Sequence, residues 1–187
     1  LRFQNKATTA WDLNNLSDIR RGSGTSTSAA PLYIARDGST TPKAQAITAA
    51  PTLFTGPLVS GVETFYVSFG TGKYIEPSDN ISTTTNSFYV IFDNNSTAID
   101  TSTATDGAIA GRSRLVQATV DTSKKTITVP AFKWGRASSA TDTSKRSGWY
   151  FDFPASGEKL IGNIVDLELL NGSFNTVIPG SSGATAG

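Results

Sequence analysis

Two glycines flanking a threonine, in Phe69-Gly70-Thr71-Gly72-Lys73-Tyr74-Ile75-Glu76, constrain this chain more than any other feature. The apolar run Thr64-Phe65-Tyr66-Val67-Ser68 leads straight into them. Aromatic and β-branched residues in such a run suit a pleated, half-buried strand. Glycines directly behind it let the backbone turn sharply or approach a neighbour where a Cβ would clash. Gly70, Thr71, Gly72 and Tyr74 are therefore the expected parts of a tight internal corner, with Tyr74 inserted against neighbouring strands. A similar strand and glycine arrangement recurs at Gly148-Trp149-Tyr150-Phe151-Asp152-Phe153, where Trp149 is the expected packing anchor.

Short strands separated by polar loops describe the rest of the chain. Residues 31–35 form a candidate strand closed by the Arg36-Asp37-Gly38 turn signal. Residues 63–69 and 87–92 supply two more. Residues 113–120 and 126–132 flank Asp121-Thr122-Ser123-Lys124-Lys125 and predict a hairpin with a longer loop. Within it, Ile127 and Val129 alternate with Thr126 and Thr128, the pattern of one buried and one wet face. Trp149, Phe151 and Phe153 alternate with Tyr150 and Asp152 in the same way. Residues 160–170 and 173–178 read as a closing strand pair around Asn171-Gly172, a dipeptide that tolerates positive φ. Helical signals are confined to one short turn in each of residues 10–20 and 78–82. The recurrence of strands at short intervals favours an all-β sandwich or propeller. Residues 21–28 and 96–111 read as long polar loops, and residues 179–187 as a linker or tail.

Composition limits the chemistry available. Histidine and cysteine are both absent, which removes the usual general base, catalytic triads, thiolate nucleophiles and thiolate zinc sites. Glu76 and Asp79 lie close in sequence, but paired acids on one surface turn are common, and glycosidase carboxylates face each other across a cleft. Lys73, beside Tyr74, is expected to cover aromatic surface with its stem. The Gly70-Thr71-Gly72-Lys73 run lacks the spacer of a phosphate loop, and Tyr74 stands where the magnesium-binding hydroxyl would be. Asp93-Asn94-Asn95, Asp100 and Asp106 lack EF-hand spacing and read as turn caps, so no metal ligands are assigned. With 16 basic and 15 acidic side chains, and Arg20-Arg21 and Lys124-Lys125 as the adjacent basic pairs, no basic stripe points to nucleic acid. No run approaches the roughly 18 apolar residues of a membrane helix. Ser and Thr make up about a quarter of the residues and charged side chains 17%, a balance typical of secreted all-β modules. Of the three tryptophans, Trp11, Trp134 and Trp149, Trp134 in Phe132-Lys133-Trp134-Gly135-Arg136 is the better candidate for a surface ring that stacks on a sugar, with packing the favoured explanation even there.

An ordered series of blocks carries a family resemblance: Gln45-Ala46-Ile47-Thr48-Ala49-Ala50-Pro51; residues 69–76 with Ser78-Asp79; Asn86-Ser87-Phe88-Tyr89-Val90-Ile91-Phe92-Asp93; residues 148–153 with Gly157-Glu158; and Thr176-Val177-Ile178-Pro179. In order and spacing they resemble the C-terminal β-propeller of the PilY/PilC-type tip adhesin and assembly factors of bacterial type IV pili. The resemblance implies part of a β-propeller built of consecutive antiparallel blades with long polar loops. Residues 1–178 would hold about three blades of a larger ring. Leu1 in place of Met fits an excerpt from a longer, processed polypeptide. It further implies a non-enzymatic extracellular role at the pilus tip, in pilus assembly, adhesion and motility. Minor pilins and host or abiotic surfaces are the implied partners. Some members carry a calcium loop in this region; no residues here match it, so no cofactor is assigned to this segment and calcium would lie elsewhere in the parent. A secreted carbohydrate-active or carbohydrate-binding propeller or sandwich module is the alternative from another class.

Overall fold

A computed structural model describes residues 31–94, 109–167 and 171–180. Its organising element is a five-stranded sheet made by β1 (Thr52–Thr55), β2 (Phe65–Gly70), β3 (Ser87–Asp93), β4 (Val116–Gln117) and β7 (Gly148–Asp152), in the order β1-β2-β3-β7-β4. β1, β2, β3 and β7 are mutually antiparallel neighbours, a four-stranded unit of the size used for a propeller blade. β4 adds alongside β7 in parallel. Two hairpins complete the fold: β5 (Thr119–Asp121) with β6 (Thr126–Thr128), and β8 (Val165–Asp166) with β9 (Gly172–Ser173). The described regular structure is otherwise limited to single 3₁₀ turns at Pro77–Asn80 and Arg112–Arg114.

Register explains why β3 has no wet face. Tyr89 and Ile91 point to one side, with Phe69 of β2 and Tyr150 of β7 beside them, and pack with Tyr33, Ala35, Ile109 and Leu115. Phe88 and Val90 point to the other, with Phe151 and Trp149, and join Ala49, Ala118, Phe153, Leu160 and Ile164. Cross-strand ring pairs tie the strands together: Phe69 with Tyr89 at 5.2 Å, Phe88 with Phe151 at 5.7 Å, and Tyr89 with Tyr150 at 5.9 Å between centroids. A strand buried on both faces reads as a nearly continuous apolar run, which is what SFYVIFD is.

Several local expectations are revised. β7 does not have one buried and one wet face: Tyr150 is buried in the first cluster while Phe151 and Phe153 are buried in the second. The β5–β6 hairpin forms, but Ile127 is 45% exposed, because β6 pairs with β5 alone and has no layer above it. Its loop is tied by Asp121, whose Oδ1 accepts from the Ser123 and Lys124 amides at 3.1 and 3.0 Å. Residues 31–35 form no strand; the bridge directly behind them, Arg36 to Ala44, is closed over Asp37 as it accepts from Ser39 and Lys43. In the last hairpin Gly172 pairs with Asp166, and the Leu167 amide donates to the Asn171 carbonyl, so Gly172 lies in the strand and not at the turn. The turn expected in residues 78–82 appears as the 3₁₀ turn Pro77–Asn80. Trp11, residues 10–28, Asp100, Asp106 and the end of the chain lie outside the described residues.

Candidate functional site

The glycine corner joins three distant segments. Thr71 is fully buried, and its amide donates to the Ser87 carbonyl while its Oγ1 accepts from the Ser87 amide at 2.7 Å. The Leu160 amide donates to the Thr71 carbonyl, and the Gly72 amide donates to the Ala46 carbonyl. Thr48 closes the set by donating to the Gly72 carbonyl at 2.9 Å. Gly70 and Gly72 are required because the 159–160 backbone runs against them. A Cβ on Gly70 would lie 2.5 Å from Leu160 Cβ, and one on Gly72, at φ +139°, would strike Lys159 Cβ. Tyr74 is not inserted between strands. It is 46% exposed, its hydroxyl donates to Asn80, and the Lys159 ammonium lies 5.6 Å from its ring centre.

Beyond the corner, Asp79 Oδ2 accepts from the Ile75 and Glu76 amides at 2.9 Å each, and its Oδ1 pairs with Lys73 at 3.3 Å. These amide bonds, aided by Lys73, hold the Asp79 carboxyl below the usual range. Lys73 also binds Glu76 at 3.1 Å, and the two carboxylates raise its pKa. Lys159 is buried at 2% exposure and donates to the Asp79 carbonyl at 2.7 Å; burial lowers its pKa, with Asp79 opposing. This cluster is a turn held by its own charges, and Asp79 lacks the raised pKa of a general acid.

On the Tyr89 side of the sheet, Arg112 is the hub of a polar network that sequence reasoning did not single out. Its guanidinium binds Asp152 at 2.8 Å, Ser87 Oγ at 2.7 Å and the Tyr89 hydroxyl at 2.9 Å, and lies 4.4 Å from the Tyr150 ring centre. Ser87 donates to Asp152 at 2.6 Å, and Tyr89 donates toward the Gln45 side chain and the Arg36 carbonyl. Burial works against the guanidinium charge, but Asp152 and Tyr89 outweigh it and hold the group more firmly charged than usual. The network clamps residues 36–45 and the Arg112–Arg114 turn onto β3 and β7.

The opposite face carries a cleft with the form of a ligand site. A cleft of about 420 Å³ opens where Tyr66, Phe88 and Trp149 of the sheet meet Trp134, Ile164 and Phe174. Trp134 and Trp149, named separately from the sequence, line the same cleft. Trp134 is fixed by a parallel bridge to Arg146 and by its ring contacts with Tyr66 at 4.6 Å and Phe132 at 4.7 Å. Trp149 packs against Phe88 at 5.8 Å. Among the described residues no group of three His, Cys, Asp or Glu side chains is placed to hold a metal ion, and no helix is long and apolar enough to cross a membrane.

An all-β chain with a four-stranded antiparallel unit, glycine corners and apolar packing on both sheet faces has the architecture of a propeller-blade segment. It belongs to the PilY1 β-propeller family, whose description as the PilY1 beta-propeller domain matches residues 14–133. The chain is 32% identical over 183 residues to the type IV pilus biogenesis factor PilY1 of Pseudomonas aeruginosa strain PAO1, and equally to that of strain PAK. Those alignments cover 84% of this chain but only 15% and 14% of the two relatives, so it spans a small part of their length. Among solved structures it resembles the crystal structure of the P. aeruginosa PilY1 C-terminal domain, with 29% identity and a TM-score of 0.55 over 81% of this chain and 32% of that one.

Proposed function

We propose that this chain is a propeller segment of a type IV pilus biogenesis factor that acts without catalysis at the pilus tip, outside the cell. The observation that carries this reading is the match of residues 14–133 to the PilY1 β-propeller family, supported by relatives named as pilus biogenesis factors. Minor pilins are its partners in assembly, and host or abiotic surfaces are its targets in adhesion and motility. The segment needs no cofactor of its own for this role. The engagement of Asp79 with backbone amides and Lys73 supports a non-enzymatic role, because a hydrolase of the two-carboxylate type needs one acid kept protonated near neutral pH. Removal of residues 31–180 from the parent gene tests the proposal. Loss of surface pili or of adhesion is expected, while Glu76→Gln and Asp79→Asn should leave both intact. Normal piliation, motility and adhesion in the deletion strain refute the assignment.

A further inference from the structure

We propose that the Trp134–Trp149 cleft is a binding site for a neutral carbohydrate, a pyranose unit of an oligosaccharide chain. Its volume, about 420 Å³, falls in the range of small-ligand sites. Its walls are mainly aromatic, with Tyr66, Phe88, Trp134, Trp149 and Phe174 contributing rings, and none of the lining residues carries a charge. An uncharged lining neither draws in a carboxylated or phosphorylated ligand nor compensates its desolvation. The polar groups narrow the class further. The indole N–H groups of Trp134 and Trp149 and the Tyr66 hydroxyl have no hydrogen-bond partner within the protein, yet none is sealed from solvent. Burial raises the Tyr66 pKa, which keeps the phenol a neutral donor.

These unfilled donors separate a sugar from a cationic guest of aromatic sites. A quaternary ammonium would gain from the ring faces but accepts no hydrogen bond, so a ligand covering those donors would leave them unsatisfied. A polyproline segment would offer carbonyls to the same donors, so decaproline is the rival that the titration below excludes. A pyranose presents an apolar C–H face to a ring and hydroxyls around its rim. Those hydroxyls accept from the indoles and the phenol; Ser68, which also lines the cleft, is buried and donates its own proton to the Thr52 carbonyl at 3.1 Å. The rings are held in advance by strands β2, β3 and β7 and by their contacts with one another, so little ordering accompanies binding.

This inference does not depend on the pilus reading and is tested separately on the full chain. Cellohexaose, maltohexaose and chitohexaose are titrated with detection by calorimetry and by the indole N–H resonances, assigned with Trp→Phe variants. Phosphocholine and decaproline serve as the competing probes. At least one oligosaccharide should bind saturably and shift the Trp134 and Trp149 resonances together. Trp134→Ala should weaken that binding about tenfold, the size of a ring-stacking contribution. Tyr66→Phe removes only the hydroxyl, and should weaken binding several-fold with an unchanged melting temperature, which separates recognition from folding. The proposal is overturned if no oligosaccharide binds, if phosphocholine or decaproline binds in their place, or if a folded Tyr66→Phe and Trp134→Ala both bind as the parent does.

Discussion

Four glycines allow the closure of the Gly-Thr-Gly corner to be measured by a set of alanine substitutions, because they separate backbone strain from steric overlap. Gly72 has both: φ is +139°, and the new Cβ would strike Lys159 Cβ with the Lys159 Cα 3.1 Å away. Gly70 has overlap without positive φ, with Leu160 Cβ, Cδ1 and Cγ at 2.5, 2.6 and 2.8 Å. Gly61, at φ +77° in the turn between Val59 and Val62, has strain without overlap, since nothing lies within 4 Å. Gly162 has neither. A side chain held in a sparsely populated backbone region costs about 1–3 kcal/mol, and overpacking about 1–3 kcal/mol, while the lost freedom of the unfolded chain returns about 0.4–1 kcal/mol. Gly72→Ala should therefore destabilise by roughly 1–5.5 kcal/mol and Gly70→Ala by up to about 2.6 kcal/mol, on those same terms. Gly61→Ala should cost about 1 kcal/mol, and Gly162→Ala should be neutral or slightly stabilising. At about 2–4 °C per kcal/mol for a chain of this size, Gly72→Ala is expected to lower the melting temperature by roughly 2–22 °C. Calorimetric melting of the four variants is the assay. If Gly72→Ala melts with Gly61→Ala and Gly70→Ala melts with Gly162→Ala, the corner does not close on residues 159–160 and the packing argument fails.

Arg112→Met should destabilise by about 2–4 kcal/mol, because Asp152, Ser87 and Tyr89 lose a shared partner beside two rings, with the partial exposure of Asp152 keeping the loss below that of a sealed pair. Arg112→Lys should recover less than half of this by denaturant titration, since a point charge cannot serve three acceptors in a plane; full recovery would reduce the network to charge alone. Stability should fall as pH drops below about 4. Ser39 depresses Asp37, the Glu76 and Ile75 amides Asp79, the Lys124 amide and Ser123 Asp121, and Ser144 and the Ser138 amide Asp142. Carboxyls depressed in the folded state contribute stability that is complete above their unfolded pKa and lost as pH falls through the folded value. Asp142→Ala should flatten that acid limb, and an unchanged slope would show that its turn bonds do not persist in solution.

How far the sequence carried these conclusions depended on whether the determining contact was local. β2 and β3 were readable because their residues are apolar and bounded by turn residues, and the glycine corner because a Gly-Thr-Gly run behind a strand has few other uses. Alternation misled where a second layer was present or absent. The partner surface decides whether Tyr150 or Ile127 is covered, and neither Tyr33 and Ile109 above Tyr150 nor the bare face of β6 is visible from period-two patterning. Arg112 was illegible for a related reason. Nothing near it in sequence predicts a half-buried cation, since its partners stand 23 to 40 residues away and come together only through the β3–β7 register. Ser87, Tyr89 and Asp152 did lie within the family-like blocks, so the resemblance had marked three of the four corners of the network without revealing the charge that joins them. The two tryptophans illustrate the same limit from the other side. Trp149 reads as a packing anchor and Trp134 as a ring that could be exposed, yet their convergence on one cleft follows from Trp149 standing on the Phe88–Val90 face of the sheet while the bridge to Arg146 brings Trp134 to the same side. Chemistry that depends on two such rings is a property of the sheet register, and it becomes visible only once the register is known.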